Sequence, residues 1–293
     1  MAQLNRCDCF AALAMTNGEL VRTSAFLPKT SSSYLCPMPA FLRYIGHRLY
    51  TTWATFWFVL PFVVTYPVQW LLNKLGRRRQ LHALNRGWAK FSIFMWGVPV
   101  EVVRESAAPA PQPCIYLSNH GSYVDILLLF KTIPGFLNMM GKDSLARTPL
   151  WGPLFAGTYV VVNRGSAVAR GRSFAQARQE LLAGRPLAVF AEGTIGDRPG
   201  EVLAPLLDGA FQLAVSTGTP IVPVSMPLNH KFMPSIKGLR VRYAKLRIVF
   251  HNPIDTNGLT AADIPALKAQ VAAQITDDFV PEGRGIPEPS RWR

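Results

Sequence analysis

The feature that most restricts the fold of this chain is an uncharged run at residues 50–72, rich in aromatic and aliphatic side chains. As a helix the run would extend about 34 Å at ~1.5 Å per residue, enough to cross a bilayer or to lie deep within one. Cations flank both ends, at 43–48 and 74–79, as is typical of segments at a membrane interface. Pro61 and Pro67 favour a kinked or monotopic segment over a straight spanning helix. A buried helix of a soluble domain is the alternative.

The charge of the chain is strongly and unevenly positive. The formal net charge is +14, and residues 20–100 contain Lys and Arg but no Asp or Glu. Such a stretch is attracted to polyanions, which means nucleic acid or the anionic surface of a membrane. Because its aromatic residues are embedded in aliphatic sequence without interleaved basic residues, nucleic-acid binding is not expected. The predicted partner is therefore the lipid bilayer.

Cysteine usage and the N-terminal composition set the expected compartment. The chain has four cysteines, namely Cys7, Cys9, Cys36 and Cys114. None has further Cys or His residues at ligand spacing, so neither a metal site nor a disulfide framework is predicted. Residues 1–40 lack the ordered regions of a secretory signal and are predicted to form a flexible lead-in. These features favour a cytosol-facing protein on the inner, cytoplasmic membrane.

The segment after the uncharged run is predicted to complete a helical hairpin. Apolar residues recur every three or four positions over 81–96, so a second helix would return along the first through the basic turn 76–80. Gly97 would end it, and a first strand is predicted at 100–103. The predicted domains are a lead-in at 1–40, a membrane-associating helical segment at 41–104 and a larger domain at 105–293.

Beyond residue 105, short apolar runs alternate with helical patterns. The proline-rich stretch 107–113 is predicted to be a surface loop. Strands are predicted at 114–118, 136–140, 158–163, 187–190, 221–226 and 240–250, and helices at 124–130, 166–183, 207–215 and 261–279. Thr260 and Asp263 have the spacing of a capping box for the last helix. The alternation predicts an α/β domain with a mostly parallel sheet flanked by helices, preceded by the N-terminal membrane-associating hairpin.

A histidine and an aspartate five residues apart form the first candidate site. His120 and Asp125 lie in the sequence Asn-His-Gly-Ser-Tyr-Val-Asp, directly behind a predicted strand. If His120 lies in the turn and Asp125 in the first helical turn, the carboxylate can orient the imidazole and leave its other nitrogen to take a proton. Asn119 is the predicted N-cap of that helix. The competing interpretation is a surface histidine beside a capping aspartate.

Three later segments accompany this pair in order along the chain. Two of them place polar residues directly behind predicted strands, and the third is the run Ile-Val-Pro-Val-Ser-Met at 221–226. The polar residues are Arg164, Glu192, Gly193 and Thr194. In this order and at these separations, the four blocks resemble those of the glycerolipid acyltransferase family, which includes the lysophosphatidate acyltransferases. The resemblance extends over most of the chain.

The resemblance implies transfer of a fatty acyl group from a thioester to the free hydroxyl of a lysolipid. His120 would be the general base, Asp125 would orient it, and the Glu192-Gly193-Thr194 turn would bind the polar head of the acceptor. The favoured acceptor is 1-acylglycerol-3-phosphate, which would give phosphatidate. Acyl-CoA or acyl-carrier protein would be the donor, and no cofactor or metal is expected.

The chain departs from the family pattern next to Glu192. Where the family has Phe-Pro-Glu-Gly-Thr-Arg, this chain has Ala191 and Ile195 in place of the proline and the arginine. Since that arginine helps to hold the acceptor phosphate, the head group becomes an open question. Arg164 and Lys142 are the remaining candidate cations. The alternatives are O-acylation of a lyso-aminolipid, a membrane-associated lipid ester or thioester hydrolase that uses the same base on water, and a non-catalytic membrane protein.

The surroundings of the pair follow from the predicted sheet. His120, Arg164 and Glu192 all follow strands, so they should meet at the carboxyl edge, where ligands of such sheets bind. Backbone amides near Gly121 are candidate donors to an oxyanion. Four arginines in or just after the helix predicted at 166–183 are expected on a solvated face, with contacts to phosphates of a donor or of lipid as the alternative; they are Arg170, Arg172, Arg178 and Arg185.

Overall fold

The structure is a computed structural model that describes residues 40–163, 165–234 and 240–279. The lead-in predicted at 1–40 therefore lies, apart from Ala40, outside the described residues, and so does Arg164.

The predicted helical hairpin is present at the start of the described chain. Helix α1 (Ala40–Lys74) runs without interruption through both of its prolines, and α2 (Arg78–Trp96) returns along it. Pro61 has no N–H to offer the carbonyl of Trp57 one turn earlier. The Ser92 hydroxyl of α2 donates to that carbonyl at 3.4 Å. The second helix thereby satisfies a group that the proline leaves without its helical partner.

Tryptophan side chains join the two helices, while the outer face of α1 remains uncovered. The indole N–H of Trp88 donates to the Phe58 carbonyl at 2.8 Å, and that of Trp96 donates to the Ala54 carbonyl at 2.9 Å. Outward-facing apolar residues of α1 such as Val64, which is 68% exposed, have no protein cover. Among the described residues, α1 is the helix with the length and composition to cross a membrane. A lipid phase would cover such a surface.

A seven-stranded sheet forms the centre of the remaining chain. Its strands are β1 (Val100–Arg104), β2 (Ile115–Ser118), β3 (Asn138–Lys142), β4 (Val160–Val162), β5 (Leu187–Phe190), β6 (Ile221–Ser225) and β7 (Leu246–Phe250). The spatial order is β1-β7-β6-β2-β5-β3-β4. Strands β6, β2, β5, β3 and β4 are parallel, whereas β7 is antiparallel to β6 and parallel to β1. The predicted mostly parallel sheet is confirmed.

Seven further helices lie between and after the strands of the described chain. They are α3 (Val124–Thr132), α4 (Asp143–Ala146), α5 (Trp151–Thr158), α6 (Ala167–Leu182), α7 (Asp208–Thr217), α8 (Asn229–Phe232) and α9 (Ile264–Asp277). The predicted capping box of Thr260 and Asp263 is present, on a short 3-10 turn that leads into α9. The short helices α4, α5 and α8 were not predicted, because they hold too few residues for a periodic pattern.

Two strands are shorter than the sequence pattern predicts. Thr158 belongs to the end of α5, so β4 covers only Val160–Val162 of the strand predicted at 158–163. The strand predicted at 240–250 is paired only over Leu246–Phe250. The length of a strand depends on how far its neighbouring strand supplies hydrogen bonds. The side-chain pattern of the strand itself does not show where that pairing stops.

The first strand belongs to the sheet rather than to the hairpin. Val100 pairs with Leu246 and Arg104 pairs with Phe250 in parallel register. The predicted boundary at residue 104 therefore falls at an edge strand, inside the single compact unit that extends from Ala40 onward.

Two apolar layers enclose the sheet, since successive side chains of a strand point to opposite faces. On β2, Tyr116 belongs to the layer formed with α2 and α3, whereas Ile115 and Leu117 belong to the layer formed with α6, α7 and α9. All four residues of β2 are buried. The residues that follow β2 therefore start from a fixed position in the core.

A buried polar cluster around His82 joins α2 to the rest of the domain. The Nδ1 atom of His82 lies 2.9 Å from the Tyr159 hydroxyl, and its Nε2 accepts the Leu137 N–H at 3.2 Å. Burial, followed by the positive charge of Arg86, lowers the pKa of His82 from 6.5 to about 4. The imidazole is therefore neutral near neutral pH, as its acceptor role at Nε2 requires.

The lowered pKa of His82 predicts a loss of stability in acid. For a histidine whose folded pKa lies below its unfolded value, stability is fully present above pH ~6.5 and is lost as the pH falls through the folded pKa. Between pH 7 and 4.5, this group should cost about 2.5 kcal/mol of the free energy of unfolding. Denaturant unfolding of wild type and His82→Gln at both pH values measures the difference, because glutamine does not titrate. Equal acid sensitivity of the two chains would contradict the assignment.

Candidate active site

His120 and Asp125 meet at the carboxyl end of β2. His120 lies in the loop after the strand, and Asp125 is the second residue of α3. The Nδ1 atom of His120 lies 3.0 Å from Oδ2 of Asp125. The imidazole also stacks on the ring of Phe190 at the end of β5, with 3.9 Å between ring centroids. The turn-to-helix arrangement predicted for this pair is therefore the arrangement in the structure.

Asp125 is buried and accepts hydrogen bonds at both carboxylate oxygens. Oδ2 accepts the backbone N–H groups of Gly121 at 2.9 Å and Ser122 at 2.8 Å, in addition to its contact with His120. Oδ1 accepts the side-chain amide of Asn229 at 2.9 Å. Four donors around a fully buried carboxylate fix its orientation. Asp125 can therefore hold the Nδ1–H tautomer of His120.

The expectation of an oxyanion site at the backbone amides near Gly121 is wrong. The N–H groups of Gly121 and Ser122 both donate to Asp125, and the N–H of His120 donates to Oε1 of Glu192 at 2.8 Å. These donors hold the His120–Asp125 pair in place, and each already has an acceptor within the protein. The sequence could not show their direction.

Asn229 is a site residue that no pattern in the sequence indicated. Its side-chain N–H donates to Asp125, and its Oδ1 accepts the backbone N–H of Arg247 at 3.1 Å. Residues 125 and 229 are separated by 104 positions in the chain, and no periodic pattern links them. Asn229 thereby fixes the carboxylate against the backbone of β7.

Two further side chains attach the loop after β2 to the segment after β6. The side chain of Asn119 donates to the Met226 carbonyl at 3.2 Å and accepts the Met226 N–H at 2.7 Å. The Ser122 hydroxyl donates to the Met233 carbonyl at 2.8 Å. The prediction of Asn119 as N-cap is wrong, because the cap position of α3 is Tyr123 and the amide of Asn119 is used across the sheet edge.

Both carboxylate oxygens of Glu192 accept hydrogen bonds from backbone N–H groups. Its Oε1 accepts the His120 N–H, and its Oε2 accepts the Ala204 N–H at 2.9 Å. Burial raises the pKa of Glu192, and the two backbone hydrogen bonds act in the opposite direction. Gly193 follows with a φ of 67°, a left-handed conformation that favours glycine. These contacts give Glu192 a positioning role, and its predicted role at the acceptor head group remains a prediction.

A cavity of about 1010 Å³ lies beside His120 at the carboxyl edge of the sheet. Four of the predicted site residues line it, namely His120, Lys142, Gly193 and Thr194. Most of the other lining side chains are apolar, among them Ile126, Phe130, Met139, Phe155, Phe174, Ile195 and Leu213. A histidine base at a predominantly apolar cavity suits a substrate with a long hydrocarbon chain and one reacting polar group.

Two cations among the described residues line this cavity. One is Lys142, at the end of β3, and the other is Arg170 of α6. Arg170 was expected on the solvated face of its helix together with Arg172 and Arg178. All three side chains are exposed as expected, and Arg170 also lines the cavity because the first turn of α6 passes it. Among the described residues, no group of His, Cys, Asp and Glu side chains has the geometry to hold a metal ion.

The sequence is similar to those of several known proteins. Residues 99–227 match the sequence profile of the Acyltransferase family. The chain is 28% identical over 261 residues to a 1-acyl-sn-glycerol-3-phosphate acyltransferase of Chlamydomonas reinhardtii, an alignment that covers 87% of this chain and 76% of that protein. It is 30% identical over 200 residues to the human 1-acyl-sn-glycerol-3-phosphate acyltransferase alpha, over 66% of this chain and 69% of that protein.

The fold is also found in a crystal structure. The 1-acyl-sn-glycerophosphate (LPA) acyltransferase PlsC from Thermotoga maritima superposes with a TM-score of 0.65 and 20% sequence identity. The superposition covers 86% of this chain and 99% of that one. The two proteins therefore share a fold at low sequence identity.

Proposed function

Because the chain belongs to the glycerolipid acyltransferase family, we propose that it transfers a fatty acyl group to the free hydroxyl of 1-acyl-sn-glycerol-3-phosphate, giving phosphatidate. The observation that carries the proposal is the His120–Asp125 pair beside a large apolar cavity. The chain is an O-acyltransferase by its family, and the named substrates of its relatives supply the acceptor.

The proposed reaction begins with proton removal by His120. Since Nδ1 is held by Asp125, Nε2 is the nitrogen that takes the proton from the acceptor hydroxyl as its oxygen attacks the thioester carbonyl carbon. Asp125 stabilises the imidazolium that forms. The carbon–sulfur bond then breaks, and Nε2 returns the proton to the leaving thiolate. No acyl-enzyme is needed, because the thioester is already activated.

In this proposal, Glu192 acts by positioning His120. By accepting the His120 N–H, its carboxylate fixes the backbone from which the imidazole projects. The Gly193–Thr194 backbone then continues along the cavity wall. We therefore assign Glu192 as a positioning residue, while Gly193 and Thr194 are the members of the turn that contact the acceptor head.

The acceptor phosphate would be held by cations other than the missing family arginine. Ile195 lines the cavity and supplies no charge, whereas Lys142 and Arg170 line it with one positive charge each. Arg164 stays a further proposed contact on sequence grounds. A dianionic phosphate makes charge-assisted hydrogen bonds with such groups.

The donor is proposed to be acyl-CoA or acyl-carrier protein, with no cofactor. Apolar side chains around the cavity would exclude water from the acyl thioester, which favours transfer over hydrolysis.

A side-by-side acyltransfer assay tests the proposed function. The purified chain is given radiolabelled acyl-CoA or acyl-carrier protein with lysophosphatidate, a lyso-aminolipid or monoacylglycerol as acceptor. We expect labelled phosphatidate as the main product, because only the phosphate can use both cavity cations. Product formed only from the lyso-aminolipid would contradict the proposal that lysophosphatidate is the acceptor. Labelled free fatty acid without any labelled ester would contradict acyl transfer itself.

The uncovered apolar face of α1 indicates that the protein associates with a membrane. We propose that this is the cytoplasmic membrane and that the catalytic domain faces the cytosol. We expect the chain to sediment with membranes and to resist release by ~1 M salt, because apolar insertion is not screened as surface charge is. Sedimentation before and after the salt wash measures this. Quantitative recovery in the soluble fraction without detergent would contradict membrane association.

The proposed orientation needs its own measurement. A protease-cleavable tag placed after Arg293 should be digested in inside-out membrane vesicles and protected in intact spheroplasts. The opposite pattern would place the catalytic domain on the other side of the membrane.

A further inference from the structure

A second cavity, of about 840 Å³, lies at the opposite edge of the sheet from His120. We call it the amino-edge cavity, because Gln112 before β2 and Pro186 before β5 line it. Pro186 lies at the amino end of β5 and lines this cavity. Phe190 lies at the carboxyl end of β5 and lines the cavity beside His120, which we call the catalytic cavity. Four residues of extended strand separate the two by about 13 Å. The amino-edge cavity is therefore distinct from the catalytic one.

Arginines dominate the charge of the amino-edge cavity. Arg79, Arg86, Arg104 and Arg185 line it, and no Asp or Glu of the described chain is among its lining residues. Arg185 forms an ion pair with Glu180. The other three have no carboxylate partner within the described residues. Within the described residues, no direct ion pair neutralises the charge of these three arginines.

Two of these guanidinium groups are held in place by single anchoring bonds. Arg86 donates through Nε to the Phe130 carbonyl at 3.1 Å, and Arg104 donates through Nη2 to the Thr132 carbonyl at 3.0 Å. The guanidinium of Arg104 also lies over the Phe250 ring, 4.4 Å from its centroid. Each arginine carries five N–H donors, so further donors remain beyond the anchoring bond. Oriented arginine forks are suited to bidentate binding of phosphate oxygens.

The walls between the arginines are apolar and lie beside the hairpin. Ala83 of α2 and Ile133 contribute aliphatic surface, and several prolines complete it. A smaller cavity of about 280 Å³ at the turn of the hairpin shares Arg79 and Arg185 with the amino-edge cavity. The basic site is thus continuous with the turn of the segment that carries the uncovered apolar surface. A ligand there can place a charged group on the arginines and an apolar group on the walls.

We propose that the amino-edge cavity binds a phosphate group carried by a molecule with an apolar part, at a site separate from the acyl-transfer centre. An anionic phospholipid of the membrane and a soluble phosphate compound share the chemistry that the arginines recognise. The proposal does not depend on the identity of the acyl acceptor, since the two cavities lie at opposite ends of β5.

Thermal unfolding of the full chain in neutral detergent micelles tests the proposal. The titrants are phosphatidylglycerol, phosphatidylcholine and sodium phosphate at constant ionic strength, because a ligand that binds only the folded chain raises Tm saturably. Arg79→Gln removes an exposed lining charge, and Ala83→Glu places a carboxylate in the wall. Arg178→Gln, on the exposed face of α6, is the control with the same loss of charge as Arg79→Gln.

We expect phosphatidylglycerol to raise Tm, with a half-saturating concentration about fivefold higher in Arg79→Gln and at least as high in Ala83→Glu. Arg178→Gln should match wild type. A rise with phosphatidylglycerol alone supports a phosphate carried by an apolar molecule, whereas an equal rise with sodium phosphate would show that the apolar part contributes nothing and would overturn that part of the proposal. Three results would overturn the site: no saturable rise, an equal rise with phosphatidylcholine, or a rise that Arg79→Gln and Ala83→Glu weaken no more than Arg178→Gln does.

Discussion

His120→Ala should lower acyl transfer by about 10²–10⁴-fold, because the general base is lost and no neighbouring side chain replaces it in the proposed mechanism. The loss should appear in kcat more than in KM, since the imidazole acts on the proton that moves in the transition state. The fold should survive, because the backbone N–H of residue 120 can still donate to Glu192. Steady-state assay with lysophosphatidate and acyl-CoA measures the activity.

The matched control for this variant is His47→Ala. His47 is an exposed histidine of α1, and it lies outside the residues that line the catalytic cavity. Thermal unfolding of both variants separates lost chemistry from lost structure. Wild-type-like turnover in His120→Ala, or an equal loss in His47→Ala, would contradict the assignment of the base.

Asp125→Asn should lower activity at least on the order of a hundredfold and should also destabilise the fold. The uncharged amide no longer stabilises the imidazolium of His120. If its oxygen accepts the Gly121 and Ser122 N–H groups, its NH₂ must face the NH₂ of Asn229, so two donors meet in the core. A buried unsatisfied group of this kind costs about 1–3 kcal/mol. Turning the Asn229 amide does not help, because its NH₂ would then face the N–H of Arg247.

The double variant Asp125→Asn/Asn229→Asp separates the two effects. A carboxylate at position 229 can accept both the new amide N–H and the backbone N–H of Arg247, so every donor has an acceptor again. We expect chemical denaturation to show recovered stability, while activity stays low because the carboxylate no longer contacts His120. Recovery of wild-type turnover in the double variant would show that the charge beside His120 is not required.

The sequence by itself determined the parts of this protein that depend on neighbouring residues. The spacing of His120 and Asp125 at a predicted strand-to-helix turn made their contact possible, and the order of the four sequence blocks favoured it over a surface histidine beside a capping aspartate. The apolar runs predicted the buried parallel strands for a local reason: side-chain period and burial are read directly from consecutive residues. The uncharged run predicted α1 without reference to any partner.

Only the tertiary structure decided which groups complete the site. Asn229 reaches Asp125 across 104 positions, and the Glu192 carboxylate reaches the His120 N–H across 72. Neither contact leaves a periodic or compositional trace, because it depends on how β2, β5 and the segment after β6 pack side by side. The same packing turned the Gly121 and Ser122 amides toward Asp125, and it brought four arginines from three distant segments to the amino-edge cavity. A hydrogen bond depends on the positions of both the donor and the acceptor in three dimensions. The sequence shows that each group is present but does not show which distant group lies next to it.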